Sequence, residues 1–193
     1  DTTAYRQIDS AGLGDRVTVQ RLDIRDMSLP PDQSFDLVPA EGDPVGYCGD
    51  VHAAIRELAR VGRRGAHVMV SVDSRMGAPG DLNRLDFASA ERMLARGETA
   101  WNDENEAFRF PVHAFTLAEL GTLFTENGLR VVRSLGKPVF FYRLKPEVRA
   151  AILADEALLR RLVDLECRFA DDPGWAGSGG HVEVTGVKVG GAG

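Results

Sequence analysis

The chain has 193 residues, a length that predicts one domain rather than several. Hydrophobic residues make up 44% of it and charged residues 27%, a globular composition that excludes a disordered or fibrous chain. The formal net charge of −6 predicts no basic face of the kind that nucleic acids require, so we expect no nucleic-acid partner. Only three of the 23 basic residues are lysine, a bias that is typical of GC-rich, bacterial coding.

Cysteine content and hydropathy favour a cytoplasmic protein. Cys48 and Cys167 are too few for a disulfide framework in a chain of this length and suit a reducing compartment. The longest strongly apolar segment, residues 66–72, is far shorter than the roughly 18 residues that a membrane-spanning helix needs. The chain begins at Asp1 without a charged and then apolar leader, so we expect neither a signal peptide nor a membrane partner.

Helices and strands are predicted to alternate in the first half of the chain. Helical or strand-like spacing of apolar residues marks each element, and Gly, Asp or Pro marks its end. In chain order we predict a helix at 3–11, a strand at 17–22, a short strand at 35–38 closed by Pro39, a helix at 51–61 and a buried strand at 66–72.

Residues 75–115 interrupt this alternation, and we interpret them as a cap inserted into a single domain that spans 1–193. Regular alternation predicts an α/β domain with a mostly parallel sheet and helices on both faces. The last strand alternates apolar and polar residues, which is typical of an antiparallel edge strand. The elements predicted in this half are helices at 84–96, at 116–127 behind a Thr-x-x-Glu capping box and at 146–170, and strands at 129–134 and 181–189.

Four segments follow one another in a distinctive order: residues 12–27 (GLGDRVTVQRLDIRDM), 34–38 (SFDLV), 54–61 (AIRELARV) and 63–71 (RRGAHVMVS). This series resembles the class I S-adenosylmethionine-dependent methyltransferases. The resemblance implies a Rossmann-like sheet in which one reversed strand ends an otherwise parallel array. It also implies S-adenosyl-L-methionine as cofactor and methyl transfer to a small-molecule acceptor.

Two features depart from the family's pattern. Arg64-Gly65-Ala66 stands where the family has Pro-Gly-Gly, and no glycine-rich strand–turn–helix precedes Val17. The first strand, first helix and second strand of the family's fold are therefore expected to be missing. In the family's sheet the missing strands lie between those that we assign to 17–22 and 35–38. Unpaired buried backbone groups cost about 1–3 kcal/mol each. We therefore expect this chain to be the C-terminal portion of a longer protein, or the gap to be filled in another way.

The first candidate cofactor contact is the end of the strand at 17–22, because ligands of open α/β sheets bind at the carboxyl ends of strands. By resemblance, the carboxylate of Asp23 would accept a hydrogen bond from the adenine amino group. The backbone N–H of Ile24 would be offered to the adenine ring. The alternative for Asp23 is a carboxylate that caps the following turn.

The loop after the second predicted strand is the next candidate. By resemblance, Ala40, Glu41 and Gly42 would border the methionine and sulfonium of the cofactor. Gly42 would permit close approach of the backbone, and Glu41 or Asp43 would favour a positive charge. Tyr47 follows one turn later as a contributor to substrate binding, and a solvated acidic loop is the alternative.

The acceptor is expected to bind beneath the cap. His113 is a candidate general base, because histidine titrates near neutral pH, and a structural histidine is the alternative. Trp101 is a candidate for binding the acceptor, and a small core within the cap is its alternative. His181 begins the last strand and is given no role. No group of His, Cys and carboxylate residues has the spacing of metal ligands, so we expect no metal.

Two other functions stay open at this point. Another nucleotide-binding α/β enzyme would share the sheet and would need a Gly-x-Gly-x-x-Gly turn. A non-catalytic binding or assembly module of the same fold would have no affinity for the cofactor.

Overall fold

The structure is a computed structural model that describes residues 2–77, 82–83, 85–101 and 109–190. Helices and strands alternate along most of it. The helices are α1 (Thr2–Ser10), α2 (Pro44–Tyr47), α3 (Val51–Val61), α4 (Phe87–Arg96), α5 (Leu117–Glu126), α6 (Pro146–Ala154) and α7 (Glu156–Phe169). The strands are β1 (Phe35–Ala40), β2 (Gly62–Asp73), β3 (Glu98–Trp101), β4 (Phe110–His113), β5 (Leu129–Lys137) and β6 (His181–Lys188).

Four strands form the main sheet in the order β1-β2-β6-β5, and β3 pairs with β4 in a separate hairpin. β1 is parallel to β2, whereas β6 is antiparallel to both β2 and β5. Three strands therefore run one way and one runs the other, which confirms the Rossmann-like α/β sheet. The reversed strand lies inside the sheet, so its prediction as an edge strand was wrong. Its alternation reflects two faces that are packed differently.

The main core lies on one face of the sheet, against α3 and α5. Alternate valines of β2 and β6 are fully buried there, together with Ile55 of α3 and Phe124 of α5. Asp50 begins α3 as predicted, because its Oδ1 accepts a hydrogen bond from Ala53 N at 2.9 Å. The opposite face carries the alternate residues of β5 and is covered in part by α7.

The predicted strand at 17–22 does not form, although the structure describes all of these residues. A strand needs a neighbour to pair with, and among the described residues β1 has β2 as its one partner. A bond from the Tyr5 hydroxyl to Val19 O ties the segment to α1 instead. Pro39 does not close β1, which continues to Ala40. Proline is tolerated there because β1 lies at the edge of the four-stranded sheet.

The predicted helix at 146–170 is two helices. Asp155 ends α6 with an extended backbone, and its Oδ1 accepts hydrogen bonds from Ala157 N and Leu158 N at the start of α7. Asp155 thus ends one helix and caps the next.

The predicted cap at 75–115 contains α4 and the β3–β4 hairpin, while residues 78–81, 84 and 102–108 lie outside the described part. In the described ranges, every helix is too short or too polar to cross a bilayer.

Candidate functional site

One edge of the sheet collects charged side chains. β1 and β2 end at this edge and β6 begins there, so Asp43, Asp73 and His181 come together from three parts of the chain. β5 also ends there and contributes Lys137. We call this the carboxyl edge, the position at which open α/β sheets bind ligands.

Asp43 is the most buried acid of the carboxyl edge. It precedes α2 in a left-handed conformation, and only 1% of it is exposed. Its Oδ1 accepts a hydrogen bond from Gly46 N at 2.8 Å and its Oδ2 accepts one from Asp73 N at 2.7 Å. Burial and the neighbouring Asp73 carboxylate outweigh these bonds and raise the pKa of Asp43 to about 7. Asp43 therefore holds a proton below neutral pH.

Gly46 allows the backbone to approach Asp43 closely. A Cβ at this position would overlap Asp43 Oδ1 and would lie 2.7 Å from the carbonyl oxygen of His113. The position therefore needs glycine for space, because the buried carboxylate and the hairpin leave no room for a side chain.

Three aromatic rings lie beside the acids. The ring of Tyr47 meets those of Trp101 and Phe110 edge-on, at centroid distances of 6.5 and 5.2 Å. The sequence predicts a binding role for Tyr47 and Trp101, and the structure brings the two rings together. Burial and the charges of Asp73 and Asp43 raise the pKa of Tyr47 to about 12. Tyr47 therefore keeps its proton, and its surroundings favour a cation.

A groove of about 670 Å³ runs beside Tyr47. Asp23 and Ile24 line it together with Arg25, and Pro44 and Cys48 line it from the segment of α2. Asp23 accepts hydrogen bonds from Arg25, from its Nη2 at 2.6 Å and from its backbone N at 2.9 Å. These bonds lower the pKa of Asp23 to about 2, so it is ionised at neutral pH. The carboxylate thus caps its turn and also borders the groove, which makes the two sequence interpretations compatible.

The residues at the end of β1 and in the loop that follows lie in different surroundings. The side chain of Ala40 is buried in the core of the sheet. Glu41 accepts a hydrogen bond from Lys137 Nζ at 2.8 Å, and Lys137 also binds the buried carboxylate of Glu183. Gly42 lines a second cavity, on the side of the loop that faces His181 and Lys137. The structure therefore does not bring Glu41 and Gly42 into the groove of Asp23 and Ile24.

His113 takes part in an ion network between elements. Its Nε2 lies 2.8 Å from Glu119 Oε1, and Glu119 Oε2 accepts a hydrogen bond from Arg75 Nη2 at 2.5 Å. Thr116 Oγ1 accepts from Glu119 N at 3.2 Å, which confirms the predicted cap of α5, while the carboxylate binds His113 and Arg75. His113 is not among the described residues that line the groove or the second cavity. Its role as a base stays a prediction.

Sequence reasoning missed the pair of His181 and Asp73. β2 and β6 align Asp73 with His181, and His181 Nδ1 lies 3.3 Å from Asp73 Oδ1. The one available signal was the position of Asp73 at the end of a predicted strand. In the ranges that the structure describes, no group of three or more His, Cys, Asp and Glu residues could hold a metal ion.

Comparisons with known proteins identify the fold to which this sheet belongs. No protein-family model and no curated protein matches the chain, but solved structures match nearly all of it. The [4+2]-cyclase SpnF is 18% identical with a TM-score of 0.55, and the match covers 98% of this chain and 62% of that one.

Two further matches are methyltransferases. The geranyl diphosphate C-methyltransferase of Streptomyces coelicolor A3(2), solved with Mg²⁺, geranyl diphosphate and S-adenosyl-L-homocysteine, is 12% identical with a TM-score of 0.52, and the match covers 95% of this chain and 58% of that one. The 1,6-didemethyltoxoflavin-N1-methyltransferase of Burkholderia thailandensis, solved with 1,6-didemethyltoxoflavin and S-adenosylhomocysteine, is 14% identical with a TM-score of 0.54, covering 96% and 56%.

The chain thus spans less than two thirds of the length of each of these proteins. Identity this low bears on the fold alone. The order of the strands, the reversed strand and these matches all lead to the same conclusion. The chain has the fold of the class I S-adenosylmethionine-dependent methyltransferases.

Proposed function

We propose that this chain takes part in S-adenosyl-L-methionine-dependent methyl transfer to a small-molecule acceptor. The observation that carries the proposal is the groove at the carboxyl edge, where Asp23 and Ile24 lie beside Tyr47. Two structures of the same fold were solved with S-adenosylhomocysteine and with small molecules, which supports both the cofactor and the size of the acceptor.

The chemistry of the groove fits the adenine end of the cofactor. Asp23 is ionised and half exposed, so its oxygens have lone pairs for an adenine amino group besides those that Arg25 uses. The N–H of Ile24 would serve the ring. These two residues would hold the base, and Tyr47 would close the other side of the groove.

The surroundings of Tyr47 fit a sulfonium. Its ring and those of Trp101 and Phe110 attract a cation through their faces. A cation nearby would also lower the pKa of Asp43 and so favour its ionised form. The ionised carboxylate would add its negative charge to that of Asp73. Glu41 is already paired with Lys137, so we assign this electrostatic role to Asp43 and Asp73. The bound cofactor would supply an activated methyl group, and these residues would orient it.

Two histidines would suit proton removal from an acceptor. His113 is oriented by Glu119 and His181 by Asp73, and in each pair the carboxylate fixes one ring nitrogen. A different reaction on the same fold is the second candidate function, because the matching SpnF is a [4+2]-cyclase.

Calorimetric titration with S-adenosylhomocysteine tests the proposal. We expect saturable binding to the folded chain and about tenfold weaker binding to Asp23→Asn, which keeps the turn but loses a charged acceptor. Asp26→Asn, an exposed neighbour outside the groove lining, is the matched control and should bind like the native chain. A chain that is folded by circular dichroism but releases no heat would refute the proposal and favour a non-catalytic module.

A further inference from the structure

The second cavity has the size of a small-molecule site. Its volume is about 730 Å³, and sites for drug-sized ligands measure about 300–1,000 Å³. It lies between β5 and α7, and its wall is mostly apolar. The residues that form this wall are Leu135, Pro138, Val163, Cys167 and Ala170.

Specific polar contacts hold the cavity wall in place. Glu166 of α7 accepts hydrogen bonds from the backbone N–H groups of Phe140 and Phe141 at 2.9 and 2.8 Å, and from that of Val139. At the other end of the wall, Gly136 N donates to Ala170 O at 2.8 Å. None of the residues of α7, all of which the structure describes, is fully buried. Polar anchoring therefore fixes the helix over the sheet and leaves the cavity between them.

Several polar side chains line the cavity. Arg133 is paired with Asp171, Glu166 with backbone N–H groups, and Ser71 adds a hydroxyl. The cross-strand neighbours Lys137 and His181 supply one further donor and one acceptor.

Lys137 Nζ has three N–H bonds and donates two of them, to Glu41 and Glu183. Burial alone would lower the pKa of Lys137, but these two carboxylates raise it, so the ammonium stays charged. His181 Nδ1 faces Asp73, which leaves Nε2 as the nitrogen that a ligand can use. The third N–H of Lys137 and the Nε2 of His181 thus form a donor–acceptor pair.

A hydroxyl group matches this pair better than an ammonium or a carboxylate group does. It can accept from Lys137 and donate to His181 at the same time. An ammonium group has no acceptor and would be repelled by Lys137, whereas a carboxylate has no proton to donate to Nε2. The apolar wall requires that the remainder of the ligand be apolar.

We propose that this cavity binds a phenol or alcohol with an apolar body, and that Lys137 and His181 hold its hydroxyl group. Gly42 connects the cavity to the loop that carries Asp43, so the bound hydroxyl compound is the class of acceptor for the function proposed above; this identification rests on that proposed function. His181 takes the hydroxyl proton on Nε2 while the electron pair of the O–H bond stays on oxygen. Asp73 stabilises the imidazolium that forms.

Three ring-matched probes test the polar end without any cofactor. 1-Naphthol, 1-naphthoate and 1-naphthylmethylammonium share an apolar body and differ in their polar group. Calorimetry should show that 1-naphthol binds at least about tenfold more tightly than either of the others. Equal affinities, or a preference for the ammonium or the carboxylate, would overturn the proposal.

Cys167 reports where the probe binds. It is exposed and lines the cavity, whereas Cys48 is half-buried and lies on the groove. Saturating 1-naphthol should slow alkylation of Cys167 by iodoacetamide about tenfold and leave Cys48 unchanged, as measured by mass spectrometry of the peptides. Unchanged alkylation of Cys167 at saturation would place the probe elsewhere and overturn the proposal.

A substitution at His181 tests the acceptor of the pair. His181→Gln should weaken 1-naphthol binding about tenfold and leave 1-naphthoate binding unchanged. His67→Gln, a substitution of an exposed histidine in the middle of β2 that does not line the cavity, is the matched control. Unaltered 1-naphthol affinity in folded His181→Gln would exclude the role of His181. S-adenosylhomocysteine is absent from these titrations, so the loss of cofactor binding and the loss of hydroxyl binding are separate results.

Discussion

Gly46→Ala is expected to lower the free energy of unfolding by about 3 kcal/mol and to abolish S-adenosylhomocysteine binding. The new Cβ would overlap Asp43 Oδ1 and crowd the carbonyl oxygen of His113, so the Asp43 carboxylate would have to leave its position. Its bonds to the backbone N–H groups of residues 46 and 73 would be lost, and α2 with Tyr47 would move. Urea unfolding and calorimetry measure the two effects.

Gly177→Ala is the control for this substitution. Apart from the adjoining backbone, no atom in the described part of the chain lies within 4 Å of a Cβ built at Gly177. This variant should keep the native stability to within about 0.5 kcal/mol and should bind the ligand normally. Equal stability of the two alanine variants would contradict the close packing that we assign to Gly46.

The stability of the protein should fall as the pH rises from about 4 to 7 through the buried Asp43. Its pKa is 3.8 in an exposed state and about 7 in the fold, so the folded chain holds a proton in this interval that the unfolded chain has lost. A group of this kind stabilises the fold below its unfolded pKa, and the contribution decreases as pH rises through the folded pKa. For one proton the slope reaches about 1.4 kcal/mol per pH unit.

Asp43→Asn isolates this contribution, because an amide does not titrate in the interval. Unfolding in urea at several pH values should show a flatter profile for the variant than for the native chain. The variant should also be less stable at pH 5, since an amide N–H₂ would face Asp73 N. Asp36→Asn, a substitution of an exposed carboxylate on β1, should keep the native profile. Parallel profiles for native and Asp43→Asn chains would show that Asp43 does not hold the extra proton.

Local signals in the sequence predict most elements of the fold correctly. Asp50 and Thr116 cap the helices that they were expected to begin, and the apolar run at 66–72 is the centre of the buried β2. These signals are local because a cap or a buried strand is specified by residues close together in the chain. The break at Asp155 was missed because the apolar spacing continues through it while its side chain caps the following turn.

Pairing between distant segments could not be predicted from local patterns. Residues 17–22 have strand-like composition, but composition does not supply a partner strand. The position of β6 inside the sheet depends on β5 and β2 on its two sides, and its alternating pattern is shared by edge strands. Propensity and pattern therefore identify elements better than they identify neighbours.

The candidate site shows the same division. Asp23 and Tyr47 were found from their positions after predicted strands, and the structure brings both to one groove. His181 was overlooked because strand pairing brings it to Asp73, although more than half of the chain separates the two residues. His113 attracted attention as a histidine near the cap, although its contact with Glu119 was invisible in the sequence.

Amide chemical-shift mapping with S-adenosylhomocysteine tests the cofactor groove most directly. On titration of the isotope-labelled chain, we expect the largest changes at the backbone N–H groups of Ile24, Gly46 and Tyr47. Homocysteine alone should leave the signal of Ile24 unchanged, because it lacks the adenine. A saturable response at these positions is the predicted result. No response, or changes confined to the cavity beneath α7, would contradict the assignment of the groove to the cofactor.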